Sequence, residues 1–322
     1  MIMQGKIHTL LTENRMCLFG ISLLLIFFRH TFFYNQYSFG VFNYISQIGD
    51  VGVDVFMFLS AYGLSFSYRK NRDKYHFYKK RLFRILPSVI ILLFIFAICD
   101  EFFFDAKIYH PIDPRYWFFS LYSTYWFIGA ILSFYFAFPF LYELIEGKNW
   151  NQLGIVCVAF LIAYSCIVAI KLSHVGLFQQ LIVYVARLPI LVIGVLMAIN
   201  GVWKQSVITI CFICSIPMVY LLPKDFQRIS YSLLTVGLIY YIPLLLNITP
   251  NRIKKLISYL GTTSLEFYLI HIYLLKNNAL GFLERYLHYQ ILTSLVILAF
   301  VIIMAIGSNK LIGLLNYNLK RA

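Results

Sequence analysis

The chain has 322 residues, of which 61% are apolar and 12% charged, and its mean hydropathy is +0.78. Soluble domains run at about 45–50% apolar and about 25% charged, so this chain cannot cover its surface with polar groups in water, which excludes a soluble enzyme. The net charge of +14 would suggest nucleic acid in a soluble protein, but here it is read first as membrane topology, because cytoplasmic loops collect Lys and Arg.

Apolar runs fall at 16–34, 47–67, 85–104, 118–145, 153–171, 178–199, 206–222, 230–247, 256–275 and 289–309. Irregular backbone cannot face lipid, so each run predicts a helix, and the length of each suits a span of about 20 residues. The expected fold is an all-α polytopic membrane helix bundle with about ten transmembrane helices, forming one domain over 1–322. An even number of spans puts both termini on one side. That side carries 18 Lys and Arg, the other carries 7, and Arg29 and Arg187 fall inside spans. The bias places both termini in the cytoplasm. The first run is too long, and too polar at its end, for the core of a cleavable signal. Cys211 and Cys214 form a C-x-x-C within an apolar run with no second ligand pair, which reads as helix packing, and no metal site is expected.

Ionisable groups inside spans are costly and mark function by default. The first span carries Arg29 and His30 toward its outer end. A histidine can take and return a proton near neutral pH, as general-base chemistry on a hydroxyl requires. The second span carries Asp50 and Asp54, four apart and on one helix face. Asp54 is suited to orient an imidazole, whereas Asp50 reads as solvated polarity near the surface. Ser60 lies among small residues, which fits either close helix packing or chemistry. Arg81 and Arg84 open the third span from the cytoplasm, three apart, and offer paired forks to a phosphorylated ligand. The same arginines also fit positive-inside anchoring. Arg187 lies inside the sixth span. In the ninth, Ser264, Tyr268 and His271 share a face, and Glu266 lies off it, needing a partner such as Arg187 or a water-filled cavity.

Taken together these segments resemble acyltransferase family 3, the integral-membrane acyltransferases of extracytoplasmic glycans. The run from Phe19 to His30 is similar to the family's opening segment, which ends in its proposed catalytic histidine. Where the family usually has an arginine eleven residues earlier, this chain has Phe19, with Arg15 one turn before it. The segment from Val53 to Gly63 resembles the second-span pattern, with Ala61 where Gly is common. Phe77 to Pro87 matches the paired-arginine motif, with Arg81 and Arg84 in its two places. Tyr125 to Pro139 looks like the fourth-span segment, Arg187 followed by Gly194 is a looser match, and Gly261 to His271 resembles the penultimate signature. The larger members carry an added extracytoplasmic domain, and this chain resembles the stand-alone type.

The resemblance implies a multi-pass protein of the bacterial cytoplasmic (inner) membrane that moves an acyl group, acetyl above all, from cytoplasmic acyl-CoA to a hydroxyl of a cell-surface or exported polysaccharide or a lipid-linked glycan. It implies no permanently bound cofactor, with acetyl-CoA as donor substrate. The implied partners are acyl-CoA, a glycan acceptor and the lipid bilayer, but no nucleic acid; self-association and glycan-assembly partners both remain compatible. His30 would be the general base or a transient acyl acceptor, with Asp54 orienting it. Arg81 and Arg84 would bind CoA phosphates, and Ser60, Arg187, Glu266, Tyr268 or His271 would steady the sugar or the oxyanion. His30 lies 15 residues beyond Arg15, about 22 Å along the helix, in the outer half of a hydrocarbon core about 30 Å thick. An acyl arm could therefore approach it from inside and a sugar from outside. The competing class is a polytopic transporter or exporter of a polysaccharide or small solute. It accounts for ten spans and buried charges but not for paired arginines together with a buried histidine.

Overall fold

A computed structural model describes residues 2–35, 46–103, 113–147, 186–201, 204–222, 227–277, 279–287 and 289–319. All regular structure among them is helical: α1 (Ile2–Glu13), α2 (Arg15–Asn35), α3 (Val51–Lys70), α4 (Lys74–Phe103), α5 (Pro114–Phe119), a π turn (Ser120–Thr124), α6 (Trp126–Ile145), α7 (Leu188–Asn200), α8 (Gln205–Leu221), α9 (Gln227–Ile248), α10 (Asn251–Thr262), α11 (Ser264–Lys276), α12 (Ala279–Leu287) and α13 (Gln290–Leu319). Among the described residues, six helices are long and apolar enough to cross a membrane, namely α2, α3, α4, α6, α9 and α13; α7 and α8 are shorter apolar helices. The expected span at 153–171 lies outside the described residues.

Local chemistry sets several boundaries. α3 ends at Asn71, whose backbone is extended and whose side-chain oxygen accepts the Asp73 N–H at 3.0 Å, an Asx turn that halts the helix. α5 starts at Pro114, where the missing N–H costs nothing, and Asp113 caps it by accepting the Arg115 N–H at 2.8 Å. The run expected as one helix over 256–275 is broken at Thr263 between α10 and α11. Gly261-Thr262-Thr263-Ser264 is a run of poor helix formers that favour caps and turns, and it interrupts an otherwise apolar stretch.

The chain divides into two compact units. The first comprises residues 1–26, 48–74 and 133–261. Its centre is α3, buried along most of its length and packed against α7 and α9, with α8 and α1 also lying on α9. The approach of α7 to α3 needs small residues: a Cβ at Gly194 would lie 2.8 Å from the Phe58 carbonyl oxygen and 3.0 Å from the Ala61 methyl. α2 and α10 are closer still, since a Cβ at Gly20 would strike the Ile257 carbonyl and one at Gly261 the Met16 carbonyl. At the end predicted to face the cytoplasm, Arg72 donates both guanidinium nitrogens to Glu146 at 2.9 and 2.6 Å. Beside it, Glu143 accepts from Tyr68 and Lys74 at 2.7 and 3.1 Å.

The second unit comprises residues 27–47, 75–132 and 262–322. α11 is its buried element and packs on α12 and α13. Glu266 of α11 is buried, and its carboxylate accepts the Ser88 hydroxyl of α4 at 2.6 Å and the Asn309 amide of α13 at 3.2 Å. Among the described residues its hydrogen bonds are supplied by neutral neighbours, not by an arginine such as Arg187.

Candidate active site

The second unit brings His30 and His271 together across 241 residues of sequence. His30 Nδ1 lies 3.0 Å from His271 Nε2, and the two rings are within 22° of parallel. α2 presents His30 one turn beyond Phe27, whose ring packs edge-on against Phe267 and beside His271. α11 presents His271 one turn beyond Phe267 and Tyr268, and Phe127 of α6 closes on Tyr268 at 5.3 Å. His271 is fully buried and His30 half-buried, so one end of the pair is enclosed and the other is accessible.

The hydrogen bonds fix the tautomers. His271 Nδ1 is 2.9 Å from the Phe267 carbonyl oxygen, which can only accept, so Nδ1 carries the proton. In the neutral imidazole that leaves a lone pair on His271 Nε2, and His30 must supply the proton between them from its own Nδ1. His30 Nε2 then bears the lone pair. The carbonyl, the buried ring and the half-buried ring form a directed chain whose outer end is a base.

Asp54 and Arg187 come together in the first unit. Arg187 Nε lies 3.3 Å from Asp54 Oδ1, with 1% and 3% of the two side chains exposed. Asp54 sits in the first turn of α3, where a carboxylate also meets the positive end of the helix dipole, and Arg187 immediately precedes α7. One turn earlier Asp50 pairs with Arg228 of α9 at 3.7 Å, nearer the surface. Two carboxylates one turn apart at the start of α3 are thus matched by two arginines, one just before α7 and one in α9. Ser60 is half-buried on the same helix.

Arg81 and Arg84 share the cytoplasmic turns predicted for α4 but not their surroundings. Arg81 is buried, with its guanidinium 5.5 Å from the Phe77 ring centre, and Arg84 is exposed. Positions three apart differ by about 60° around a helix, enough for the burial boundary to run between them. Tyr268 is buried between Phe127 and His271. The Arg29 guanidinium lies over Phe33, 5.8 Å from the ring centre.

Sequence reasoning singled out both histidines but not their bond. The spacing that put Tyr268 and His271 on one face was the available signal, and it could not say which helix that face meets. Among the described residues no three of His, Cys, Asp and Glu gather as a metal site requires, and Cys17, Cys99, Cys211 and Cys214 are unbridged.

A family model described as an acyltransferase domain matches residues 20–308, which takes in both histidines, the Asp54–Arg187 pair and the two arginines of α4. No curated protein matches the chain, and no solved structure does.

Proposed function

The chain belongs to acyltransferase family 3, and from that premise, together with its apolar helices, we propose that it is a membrane O-acyltransferase carrying acetyl from cytoplasmic acetyl-CoA to a hydroxyl of a surface or exported glycan. The observation that supports a base-catalysed transfer is the hydrogen-bond chain from the Phe267 carbonyl through His271 to His30.

In this reading His30 Nε2 accepts the proton of the acceptor hydroxyl as its oxygen attacks the thioester carbonyl. The new C–O bond forms and the C–S bond breaks. The proton then passes from His30 to the departing thiolate, giving an ester and a free thiol. His271 acts on His30 and not on the substrate: it holds one tautomer and one ring orientation, so the lone pair is in place before the hydroxyl arrives. The half-burial of His30 leaves it reachable, while the burial of His271 keeps water from its bond.

Arg81 and Arg84 are suited to the CoA phosphates, the exposed Arg84 meeting them first and Arg81 held on Phe77 behind it. Within the first unit the Asp54–Arg187 pair joins α3 to the start of α7. Cytoplasmic termini follow from the charge bias, placement in a bacterial inner membrane follows from the family, and both belong to the same proposal.

The experiment is acetyl transfer from labelled acetyl-CoA to surface glycan by membranes carrying the wild type or His30→Ala. The proposal expects transfer to disappear while the variant still accumulates in the membrane. Retained transfer in the variant would remove His30 from the chemistry.

A further inference from the structure

A second polar site in the second unit has no part in the chain of bonds above. The ends of α4 and α11 and the π turn enclose a cavity of about 150 Å³. One side of it is aromatic: the rings of Phe96 and Tyr273 lie 4.2 Å apart and within 5° of parallel, and Tyr125 extends the stack from Phe96. The other side is polar. Asp100 Oδ1 accepts both the Tyr273 hydroxyl at 2.9 Å and the Asn277 amide at 3.3 Å. Among the described residues its Oδ2 accepts no hydrogen bond. Lys276 reaches across and donates to the Thr124 hydroxyl at 2.8 Å.

The backbone here is itself unusual. The Tyr125 N–H bonds to the Ser120 carbonyl at 2.7 Å, five residues back, so the chain makes one wide π turn before α6 begins. Such turns are less favourable than α-helix and recur at functional sites. This one places Ser123 and Thr124 in the cavity lining.

The chemistry selects a ligand class. A cavity of about this volume accepts one six-membered ring. A lipid tail would gain nothing from a carboxylate, an amide and an ammonium. A phosphate would meet Asp100. A pyranose has apolar C–H faces to lie on aromatic rings and a rim of hydroxyls to bond with Asp100, Asn277 and Lys276.

The cavity is not where the acylated hydroxyl must lie. At about 100° per residue, Tyr273, Lys276 and Asn277 are turned about 200°, 140° and 240° around α11 from His271, so they occupy its opposite side. A helix with its side chains is about 10–12 Å across. A sugar in the cavity is therefore a different unit from the one presented to His30.

We propose that this cavity is an acceptor subsite for a pyranose of the same glycan, two or more units from the acylated one, so that the protein selects glycans longer than a single sugar. The proposal rests on the acyltransferase reading for its purpose, but the binding it asserts is measurable without catalysis.

The test uses the full chain in nanodiscs. The probes are oligosaccharides of graded length released by mild acid from the producing cell's surface polysaccharide, together with the monosaccharides released on complete hydrolysis. Binding is followed by ligand-observed NMR. The expected result is that oligosaccharides bind the wild type, and bind Asp100→Ala about tenfold or more weakly, the scale of a lost bond to a charged group. Ser123→Phe, made at an exposed position of the π turn, fills the cavity and serves where Asp100→Ala does not fold. Equal binding by wild type and the folded cavity variants overturns the subsite, as does wild type that binds no oligosaccharide, or binds the monosaccharides equally tightly. Oligosaccharide binding lost in the cavity variants, in a protein that transfers no acetyl, would leave the subsite standing and overturn the acyltransferase reading instead.

Discussion

Two buried polar pairs in this molecule are built in opposite ways. Asp54 and Arg187 are both charged, both almost wholly enclosed, and contributed by elements that pack tightly on each other. His30 and His271 are joined ring nitrogen to ring nitrogen, one enclosed and one half-buried, and with both rings neutral their hydrogen bonds run in a single direction. An enclosed ion pair has no route for a proton and little tolerance for losing a partner. A neutral relay with an accessible end can accept a proton at that end. In the proposed mechanism the first arrangement holds helices and the second reacts.

Breaking each pair should therefore give different losses. His30→Ala should lower acetyl transfer by about 10²–10⁴-fold or more, the contribution of a positioned general base, with a smaller stability loss of about 1–3 kcal/mol for the acceptor left on His271. Asp54→Ala should do the reverse in kind. It leaves Arg187 charged and enclosed, at a cost of about 3–5 kcal/mol in a denaturant titration. Replacing both members together, as in Asp54→Leu with Arg187→Met, should recover most of that stability, because an apolar pair of similar volume serves the same packing. The comparison fails if Asp54→Asn leaves stability intact but moves the pH–rate profile. That outcome would give Asp54 the imidazole-orienting part that its sequence position suggested.

His271 sharpens the contrast from the other side. His271→Gln keeps an acceptor that can face His30, and His271→Leu does not. Leu should lower kcat by about 10–100-fold, the scale of losing an orienting partner, and Gln should restore part of it with KM for acetyl-CoA unchanged in both. Equal loss in the two variants would reduce His271 to packing. A smaller effect is expected at Glu266, whose hydrogen bonds come from a hydroxyl and an amide. Glu266→Gln keeps an acceptor for Asn309 only if the Ser88 hydroxyl turns to accept, and should cost about 0.5–1.5 kcal/mol in the same denaturant titration, with the wild-type pH–rate profile retained.

The smallest effect is alkaline. Burial, helped by the charge of Asp100, pushes Tyr116 up to about 12, and its hydroxyl donates to the Leu93 carbonyl at 2.9 Å. A pKa raised by folding contributes stability that is fully present below the ordinary value of about 10 and is lost as pH rises toward about 12. Tyr116→Phe should flatten that part of the stability curve above pH ~10 without altering its neutral part. An unchanged slope would mean the phenol is not held neutral by the fold.

Much of this was legible from composition and hydropathy. The all-helical membrane class followed from 61% apolar residues, and His30, Asp54, Arg187, Glu266 and His271 stood out because ionisable groups are scarce in apolar runs. Their partners were not legible. Periodicity says which residues share a face but not which face meets which helix, so Glu266 was given a partner such as Arg187 or a water-filled cavity, and the Ser88 and Asn309 that bond it, uncharged residues, carry no signal in a hydropathy reading. The break at Thr263 was hidden because 256–275 is apolar enough to pass as one run. α1 was missed for the opposite reason: Gln4, Lys6, His8, Thr12 and Glu13 mask the spacing of Ile7, Leu10 and Leu11, which the fold buries. The π turn at 120–124 depends on a backbone register that side-chain identity does not encode.

The central claim is that a directed pair of histidines performs the proton transfer of a membrane acetyl transfer. Its most direct test is mass spectrometry of surface glycan from cells given isotopically labelled acetate and expressing either wild type or His30→Ala at equal membrane levels. The account predicts labelled acetyl esters on the glycan with wild type and none with the variant. Equal labelling in both would contradict it.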